Sequence, residues 1–499
     1  MQNLVRTEIG LLEKILIHSP DAGIGKVIPT KFADWLYDDT VHLATMREEY
    51  DDYLLLLLYW MDAARAKKVA EAREAYQDQP GRPALLKPAH PDFIASDKVL
   101  EVQRLLSDIL EETEVKIRLV SAVCALEGCP MAVQTELEAM PPQRLAKVLI
   151  SGALEDTPGH EQFVFPPVPN LVFTRDIGIV VNDHLLLSKH ALAARKRETL
   201  LAQYVFRYHH LLFGNCPERV LEIREPNHHF LFDSEEQARR AVAIEGGDVM
   251  MVAPNHLLVG CSERTTPGGI HGIIHALFSR PEVEIEKISV VTIPKGRLQM
   301  HVDTTFTQVA KDTWVLYDGF SEHARARRGQ PFDYRGGHCG EEAQGYPVSI
   351  TQYYKPLTEA YEASRDYTRA YAPAGLEALL REISEEDFGV PADQVKVIYS
   401  ADGEFPYNER ERWTDSCNLL ALKDGVVVGY DRNDKTLAAF EQAGYSVIHV
   451  RELLTQWRMG TSQPQDLERT VITLASAELS RARGGSHCMS LPLQRASLS

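Results

Sequence analysis

Cysteine is scarce in this sequence, and its distribution restricts the class of protein. The 499 residues contain seven cysteines, an odd number spread thinly over positions 124, 129, 216, 261, 339, 417 and 488. This usage is typical of reduced thiols in the cytoplasm and argues against a disulfide framework. The pair in CALEGC has no second Cys or His pair at zinc spacing. We therefore expect a cytoplasmic protein with no bound metal.

Long apolar runs and blocks of basic residues are also missing. The longest apolar run, YLLLLLYWM from Tyr53 to Met61, has nine residues, about half of the ~18 to 20 that a membrane-spanning helix needs. The opening MQNLVRTEIGLLEKILIHSP alternates charged and apolar residues and lacks the apolar segment of a signal peptide. A formal net charge of -18 argues against a nucleic-acid binder. We expect neither a membrane nor a nucleic acid as partner.

Short apolar strands recur along the chain with helix-like stretches between them. KILIHS, VKIRLV, KISVVTI, TWVLYDGF, VKVIYS and SVIHV are predicted strands, and Gly, Pro, Asn and Asp bound them. IGIVVNDHLLLS, DVMMVAPNHLLVGC and NLLALKDGVVVGY each place a polar turn between two apolar runs, which is typical of a hairpin. A helix-like stretch follows each of these three. The repetition predicts an α/β fold with internal pseudo-symmetry.

The region from 39 to 152 has a different pattern. It is rich in Glu, Lys, Ala and Leu, and SDKVLEVQRLLSDILEE has helical spacing with Ser96 as a candidate N-cap. We predict a mostly helical insertion over 39–152 within an α/β unit made of 1–38 and 153–499. Two segments near 76–93 and 321–347 are rich in Pro or Gly and are predicted loops. The second contains Cys339 in the stretch RGGHCG.

Four short clusters could carry chemistry, and we expect each at the end of an apolar strand. They are FTRD with Asp176, EGGD with Glu245, HVDTTF with His301 and Asp303, and GGSHCMS with Cys488. Alone, each is more often structural: an ion pair, a turn, a hydrogen-bonded pair or a small buried residue. Together, a thiolate nucleophile, a proton-transferring His and carboxylates that bind a planar cation suit covalent attack on a guanidinium carbon. Hydrolysis of a guanidine is the implied reaction class.

These motifs, in this order and with the ending RARGGSHCMSLP, resemble the arginine deiminases of the guanidine-modifying superfamily. The opening TEIGLLEKILIHSP and the stretch NLLALKDGVVVGYDRN resemble that family too, so the likeness covers most of the chain. The resemblance implies a five-bladed pseudo-symmetric α/β propeller of ββαβ repeats with a helical insertion. It also implies that Cys488 is the nucleophile and His301 the general acid and base. Asp176 and Asp303 would hold the guanidinium, and Glu245 would orient His301.

The resemblance extends to residues that would bind the rest of the substrate. Asn170, six before Asp176, and Arg195, nineteen after it, match family contacts to the substrate α-carboxylate, as does Arg264, nineteen after Glu245. Arg483, five before Cys488, matches a mobile gating arginine, and His487 a neighbour of the nucleophile. The two cysteines in Arg-Gly-Gly-His contexts would then differ, with Cys488 reactive and Cys339 a loop residue.

The implied reaction converts L-arginine and water to L-citrulline and ammonia through a covalent thiouronium, with no cofactor. We also expect a homo-oligomer. Two alternatives stay open: a deiminase or amidinotransferase acting on another guanidine, such as agmatine or a methylated arginine, and a non-catalytic arginine-binding protein. Contacts to an α-carboxylate disfavour agmatine, and the intact thiol disfavours a mere binder. The segments near 76–93 and 321–347 make the chain longer than most members of the family.

Overall fold

The computed structural model describes residues 3–75, 85–88, 90, 92–157, 160–226, 228–321, 348–356, 368–370, 373 and 375–498. Within them the chain forms a mixed α/β fold with several small mixed sheets. The predicted loops near 76–93 and 321–347 lie largely outside these residues, and Cys339 lies outside them as well.

Fourteen α-helices occur in these described ranges. They are α1 (Phe32–Trp35), α2 (Leu43–Met61), α3 (Ala63–Ala75), α4 (Val102–Ile109), α5 (Thr113–Glu127), α6 (Met131–Ala139), α7 (Pro142–Ser151), α8 (Lys196–Tyr208), α9 (Ser234–Arg239), α10 (Pro267–Phe278), α11 (Leu376–Phe388), α12 (Tyr407–Trp413), α13 (Asp434–Gln442) and α14 (Val450–Met459).

Twenty strands occur in the same ranges. They are β1 (Leu12–Ile17), β2 (Val99–Glu101), β3 (Ala153–Thr157), β4 (His160–Phe163), β5 (Gly178–Val181), β6 (His184–Leu187), β7 (Val220–Leu221), β8 (Val249–Ala253), β9 (His256–Cys261), β10 (Lys287–Thr292), β11 (Phe306–Ala310), β12 (Thr313–Leu316), β13 (Ser349–Tyr354), β14 (Thr368–Ala370), β15 (Lys396–Tyr399), β16 (Leu420–Lys423), β17 (Val426–Tyr430), β18 (Ser446–His449), β19 (Thr470–Leu474) and β20 (Leu491–Arg495).

Five sheets of the described chain share one strand arrangement, an antiparallel pair followed by a parallel third strand. The five sets are β5-β6-β7, β8-β9-β10, β11-β12-β15, β16-β17-β19 and β20-β1-β2. Parallel pairing of this kind needs a crossover, and α8, α10, α11 and α13 lie in the first four connections. The repeated unit agrees with the sequence pattern. The propeller arrangement of these units stays a prediction.

The region 39–152 is mostly helical and also contributes a strand. It holds α2 to α7, but Val99 and Leu100 pair with Ile15 and Leu16 in the parallel β1–β2 ladder. The helix expected from Ser96 therefore begins only at Val102, because the buried apolar residues before it complete a sheet. The expected strand VKIRLV is instead part of α5; periodicity alone cannot separate a short apolar strand from a helix segment. The division at 39 and 152 stays a prediction.

The apolar run Tyr53–Met61 forms the second half of α2, and most of it is buried. It belongs to a hydrophobic cluster that also contains Phe173, Cys488 and Met489, and α2 packs against α14, β1 and β19. In the described part of the chain, no helix combines the length with the apolar surface that a bilayer-spanning segment requires. The run therefore packs behind the segment that carries Cys488.

A tight turn precedes the antiparallel pair of each of the five sheets. We name them turn 1 (Thr174–Ile177), turn 2 (Gly246–Asp248), turn 3 (Val302–Thr304), turn 4 (414–417) and turn 5 (486–489). The expectation that the chemical clusters end strands was wrong, because they lie on or beside these turns, before the strands. In particular, the apolar NLV ahead of Asp176 forms a 3-10 helix over Pro169–Val172.

Turns 1 and 2 meet through their backbones, and this contact explains a glycine of EGGD. A Cβ at Gly246 would lie 2.0 Å from the carbonyl oxygen of Arg175, and one at Gly247 would lie 2.7 Å from Nδ1 of His301. Both positions therefore need glycine for close approach. The turns, rather than the strands, bring distant parts of the sequence together.

Candidate active site

Three of the five predicted catalytic residues, Asp176, His301 and Cys488, line one small cavity. Glu245 contacts His301 and Asp303 contacts Cys488 directly behind its wall. Asp176, Glu245, His301, Asp303 and Cys488 are all buried. The cavity has a volume of about 20 Å³, close to the least that holds a water molecule. The sequence-predicted residues in its wall are Asn170, Asp176, Arg195, Arg264, His301, Arg483 and Cys488.

His301 lies between two carboxylates. Its Nε2 donates to Oε2 of Glu245 at 2.8 Å, and its Nδ1 lies 3.8 Å from Oδ1 of Asp176. Burial acts to lower the pKa of His301, but the charge of Asp176 and the bond to Glu245 raise it to about 10. Burial also opposes ionisation of Glu245, yet its bond to His301 and nearby cations hold its pKa well below the usual range. His301 is therefore an imidazolium at neutral pH.

Asp176 and Asp303 each have one oxygen bound to a protein cation or imidazole and one oxygen without a partner. Oδ2 of Asp176 accepts from Nη1 of Arg195 at 2.5 Å, and Oδ2 of Asp303 accepts from Nδ1 of His487 at 2.8 Å. Oδ1 of both residues is buried without a hydrogen-bond partner. Such atoms are costly unless a ligand satisfies them. The pair is suited to a ligand with several N–H donors.

Cys488 lies beside this pair, with its Sγ 3.5 Å from Oδ2 of Asp303. Burial, followed by the charges of Asp303, Asp176 and Asp415, raises the pKa of the thiol well above its usual value. The free protein therefore holds a protonated thiol at neutral pH. A cation bound between the carboxylates would offset the charges that keep it protonated.

The three residues expected at the substrate carboxylate are not equally available. Arg195 already donates to Asp176, to Oε2 of Glu198 at 2.8 Å and to the carbonyl oxygen of Asn170 at 3.2 Å. The side-chain amide of Asn170 donates to the carbonyl oxygen of Trp35 at 2.8 Å. Arg264 is freer, since its Nε is buried without a hydrogen bond and its nearest carboxylate oxygens are 3.6 and 3.9 Å away.

Arg483 separates the small cavity from an outer one. It lines both the cavity with Cys488 and a neighbouring cavity of about 220 Å³ that Trp413 and Asp38 also line. Its guanidinium carbon lies 3.7 Å from the centroid of the Trp413 ring, while Nε and Nη1 are buried without hydrogen bonds. Burial lowers the pKa of Arg483 despite the nearby charges of Asp415 and Asp38. Arg483 is therefore buried at the boundary of the two cavities with an incomplete set of hydrogen bonds.

A cation already occupies the acidic centre. Asp176, Glu245 and His301 could each offer one atom to a metal ion, within 4.8 Å of one another. However, Nη1 of Arg195 lies 2.5 Å from Asp176 and 3.8 Å from Glu245, and His301 donates to Glu245. A metal would have to displace these positive groups.

Several residues of the site escaped the sequence analysis. Asn418 accepts from the backbone N–H of Cys488 and donates to the carbonyl oxygen of Asp303, at 3.0 Å each. Asp415 on turn 4 and Glu198 on α8 are buried carboxyl groups close to the cavity residues. The signal for Asn418 and Asp415 was their place directly before the hairpin NLLALKDGVVVGY, which matches the place of FTRD before its own hairpin.

Behind Cys488, a second ionic network fixes His487. Glu8 binds Arg175 at 2.5 Å and lies 3.6 Å from Nε2 of His487. Burial acts to raise the pKa of Glu8, but Arg175 and His487 hold it well below the usual range. Since His487 in turn binds Asp303, the network fixes the orientation of the Asp303 carboxylate.

The site therefore brings together a buried thiol, an imidazolium and two carboxylates that each have a buried oxygen without a hydrogen bond. Comparison with known proteins identifies the family of the chain. The Arginine deiminase family profile matches residues 131–495, so the chain belongs to the arginine deiminase family. It is 27% identical to the arginine deiminase of Mycobacterium tuberculosis over 98% of this chain and 97% of that relative. It is 24% identical to that of Borrelia garinii subsp. bavariensis, with the same coverage.

Among solved structures, an amidinotransferase of the saxitoxin biosynthetic pathway from Microseira wollei matches with a TM-score of 0.44. It is 11% identical to this chain, over 99% of this chain and 98% of that one. At this TM-score the likeness does not establish a shared fold.

Proposed function

We propose that the protein hydrolyses the guanidinium group of L-arginine to L-citrulline and ammonia. The observation that carries the proposal is the pair of buried, unpartnered Oδ1 atoms of Asp176 and Asp303 beside the thiol of Cys488. In a chain of the arginine deiminase family, a guanidinium is the cation that best satisfies them, because its N–H groups diverge in one plane.

The bound guanidinium activates the nucleophile. Its positive charge offsets those of Asp176 and Asp303, the two carboxylates that most raise the pKa of Cys488 after burial. The thiol then loses its proton to solvent water, and the thiolate attacks the guanidinium carbon. The imidazolium of His301 protonates the departing nitrogen, which leaves as ammonia and gives a thiouronium.

The second half of the reaction reverses the proton transfer at His301. The neutral imidazole takes a proton from a water molecule, which attacks the thiouronium carbon. Collapse of the adduct breaks the carbon–sulfur bond, the hydroxyl proton of the adduct passes to the departing thiolate, and citrulline is released with the thiol of Cys488 restored. Glu245 holds the imidazole through Nε2 in both halves. All steps use protein side chains, so the proposal requires no cofactor.

Arg264 is the residue most available to bind the part of the substrate that lies beyond the guanidinium. Its Nε lacks a hydrogen bond, whereas Arg195 is largely engaged by carboxylates and by Asn170. We assign the α-carboxylate to Arg264, with Arg195 and Asn170 completing the contact. One charge-assisted hydrogen bond contributes about 1.5 to 3 kcal/mol.

The choice among guanidines can be measured directly. Arginine, agmatine and methylated arginines are compared in one assay for citrulline and ammonia or their analogues. We expect arginine to exceed agmatine by at least ~100-fold in kcat/KM, at about 1.4 kcal/mol per tenfold. Arg264→Leu should shrink that preference by slowing arginine rather than by accelerating agmatine. Equal turnover of agmatine by the wild-type protein would exclude the arginine assignment.

The nucleophile is tested with the two cysteines in similar contexts. Cys488→Ala should abolish citrulline formation, and Cys339→Ala should retain it. Iodoacetamide should label Cys488 in the wild-type protein, and arginine should protect it. The opposite pattern would identify Cys339 as the reactive thiol. If the wild-type protein binds arginine but does not convert it, the non-catalytic alternative is favoured.

Two larger features belong to the same proposal. We assign the five sheets to the blades of a propeller, because each has the same strand arrangement and its leading turn carries side chains near the cavity. We also retain the expected homo-oligomer and cytoplasmic location. Size-exclusion chromatography with light scattering tests the oligomer directly.

A further inference from the structure

Turn 4 leads directly to a buried asparagine that the sequence motifs did not include. Asn418 follows the turn at 414–417 and precedes β16, and its side chain is completely buried. Turns 1, 2, 3 and 5 supply or adjoin the catalytic groups already described. Beside Asp415, Asn418 is a second residue by which the fourth unit reaches that centre.

The amide of Asn418 joins two reacting segments. Its Oδ1 accepts the backbone N–H of Cys488, and its Nδ2 donates to the backbone carbonyl oxygen of Asp303, both at 3.0 Å. The amide thus joins the backbone of Cys488 to the backbone of Asp303, and the carboxylate of Asp303 lies 3.5 Å from the sulfur of Cys488. Among uncharged side chains, only an amide offers a strong acceptor and a strong donor in this planar geometry.

Turn 5 is packed closely against Asn418. A Cβ at Gly485 would lie 2.5 Å from the carbonyl oxygen of Asn418 and 2.7 Å from its Oδ1. Ser486 accepts from the N–H of Leu420 at 3.1 Å and donates to the carbonyl oxygen of Val428 at 2.7 Å. The segment before Cys488 is therefore fixed to β16 and β17, and the amide sets its distance from turn 3.

We propose that Asn418 is a positioning residue that fixes the sulfur of Cys488 relative to the carboxylate of Asp303. The inference rests on the proposed function only in naming the reaction, because the geometry concerns the thiol itself. A shift of the Asn418 hydrogen bonds changes the position of the thiol and its distance from the negative charge of Asp303. Asn418 touches no substrate in this role.

The chain offers a matched control. Asn182, also buried, donates through Nδ2 to the carbonyl oxygen of Pro254 at 3.0 Å and accepts through Oδ1 from the N–H of Glu284 at 3.0 Å. It lies in the turn between β5 and β6, outside the residues of the cavity wall. At either position, Asn→Asp replaces the Nδ2 donor by an oxygen acceptor of nearly equal size.

The experiment compares Asn418→Asp, Asn182→Asp and wild type by the rate at which iodoacetamide alkylates Cys488 between pH 5 and 9. Peptide mass spectrometry identifies the labelled cysteine. We expect Asn418→Asp to slow alkylation at least tenfold at neutral pH and to move its pH profile upward. Asn182→Asp should keep the wild-type profile, even if both variants lose similar thermal stability. With arginine, kcat should fall in Asn418→Asp with less than a threefold change in KM.

Asn418→Ala provides a second test that adds no charge. It should slow alkylation as well, without the upward shift that a new carboxylate would cause. A wild-type alkylation profile in both Asn418 variants, or equal changes in Asn418→Asp and Asn182→Asp, would overturn the inference. Because alkylation needs no guanidine, these outcomes are distinct from failure of the wild-type protein to produce citrulline.

Discussion

At the scale of single residues, the carboxylates of Asp176 and Asp303 are each hydrogen-bonded through one oxygen but not through the other. Asp176 is fixed by Arg195 and Asp303 by His487, and each retains one buried oxygen without a partner. Burial acts to raise the pKa of Asp303, but its bond to His487 lowers it. Asp303 therefore stays ionised across the neutral range and is ready to accept a cation.

Removing either charge should therefore greatly slow turnover. Asp176→Asn and Asp303→Asn each leave a guanidinium with an unmatched contact, at a cost of roughly 2 to 5 kcal/mol, or about a 30- to 5,000-fold loss in kcat/KM. Steady-state kinetics with arginine measure the effect. Asp97→Asn, at an exposed aspartate, should stay near wild type. Near-normal turnover in Asp176→Asn or Asp303→Asn would remove that residue from the site.

At the scale of elements, the sequence predicted the hairpins well but not the turns on which the chemical clusters lie. Hairpins such as β8–β9 and β16–β17 appear where polar turns separate apolar runs. The clusters with Asp176 and His301 were expected on strands, but lie on turns, because apolar residues such as Leu171 can be buried in a 3-10 helix as well as in a strand. Asn418 was missed because a bond between its amide and two distant backbones leaves no periodic signal.

The contact between helix α12 and Arg483, which precedes turn 5, should control access to the thiol. Trp413 is the last residue of α12, and the guanidinium carbon of Arg483 lies 3.7 Å from the centroid of its ring. Such a contact contributes about 0.5 to 2 kcal/mol. We expect Trp413→Leu to release Arg483 from this contact and so to raise the alkylation rate of Cys488 by roughly 2- to 30-fold.

The same helix supplies the control for that experiment. Tyr407 is the first residue of α12, and Nζ of Lys435 lies 4.8 Å from the centroid of its ring. Tyr407→Leu removes a similar contact away from Arg483 and should leave the alkylation rate unchanged. Equal rates in Trp413→Leu and wild type would show that the contact of Arg483 with this ring does not limit access to Cys488.

At the scale of the whole molecule, buried carboxyl groups couple stability to pH. Burial is the largest cause that raises the pKa of Asp248, Asp415 and Glu198, each to about 7. These groups keep their protons in the folded protein at pH values where the unfolded chain has lost them. Their contribution to stability is complete below about pH 4 and is lost as the pH rises to 7.

Asp415→Asn should flatten this dependence. The variant removes one titrating group and hence up to about 1.4 kcal/mol per pH unit from the slope of the unfolding free energy between pH 4 and 7. Urea unfolding at half-unit pH intervals measures the slope. Asp97→Asn should keep the wild-type slope. An unchanged slope in Asp415→Asn would mean that Asp415 is ionised in the folded protein throughout this range.

The pairing of β20 with β1 has a consequence for biosynthesis. Arg495 donates to the carbonyl oxygen of Gly10 across 485 residues of chain, and β20 directly follows the turn that carries Cys488. At about 5 to 20 residues per second, a ribosome needs roughly 25 to 100 s to deliver the second strand after the first. During that interval one edge of β1 has no antiparallel partner, and such edges recruit foreign strands. We therefore expect the unfinished chain to be more open to aggregation through this edge than the folded protein is.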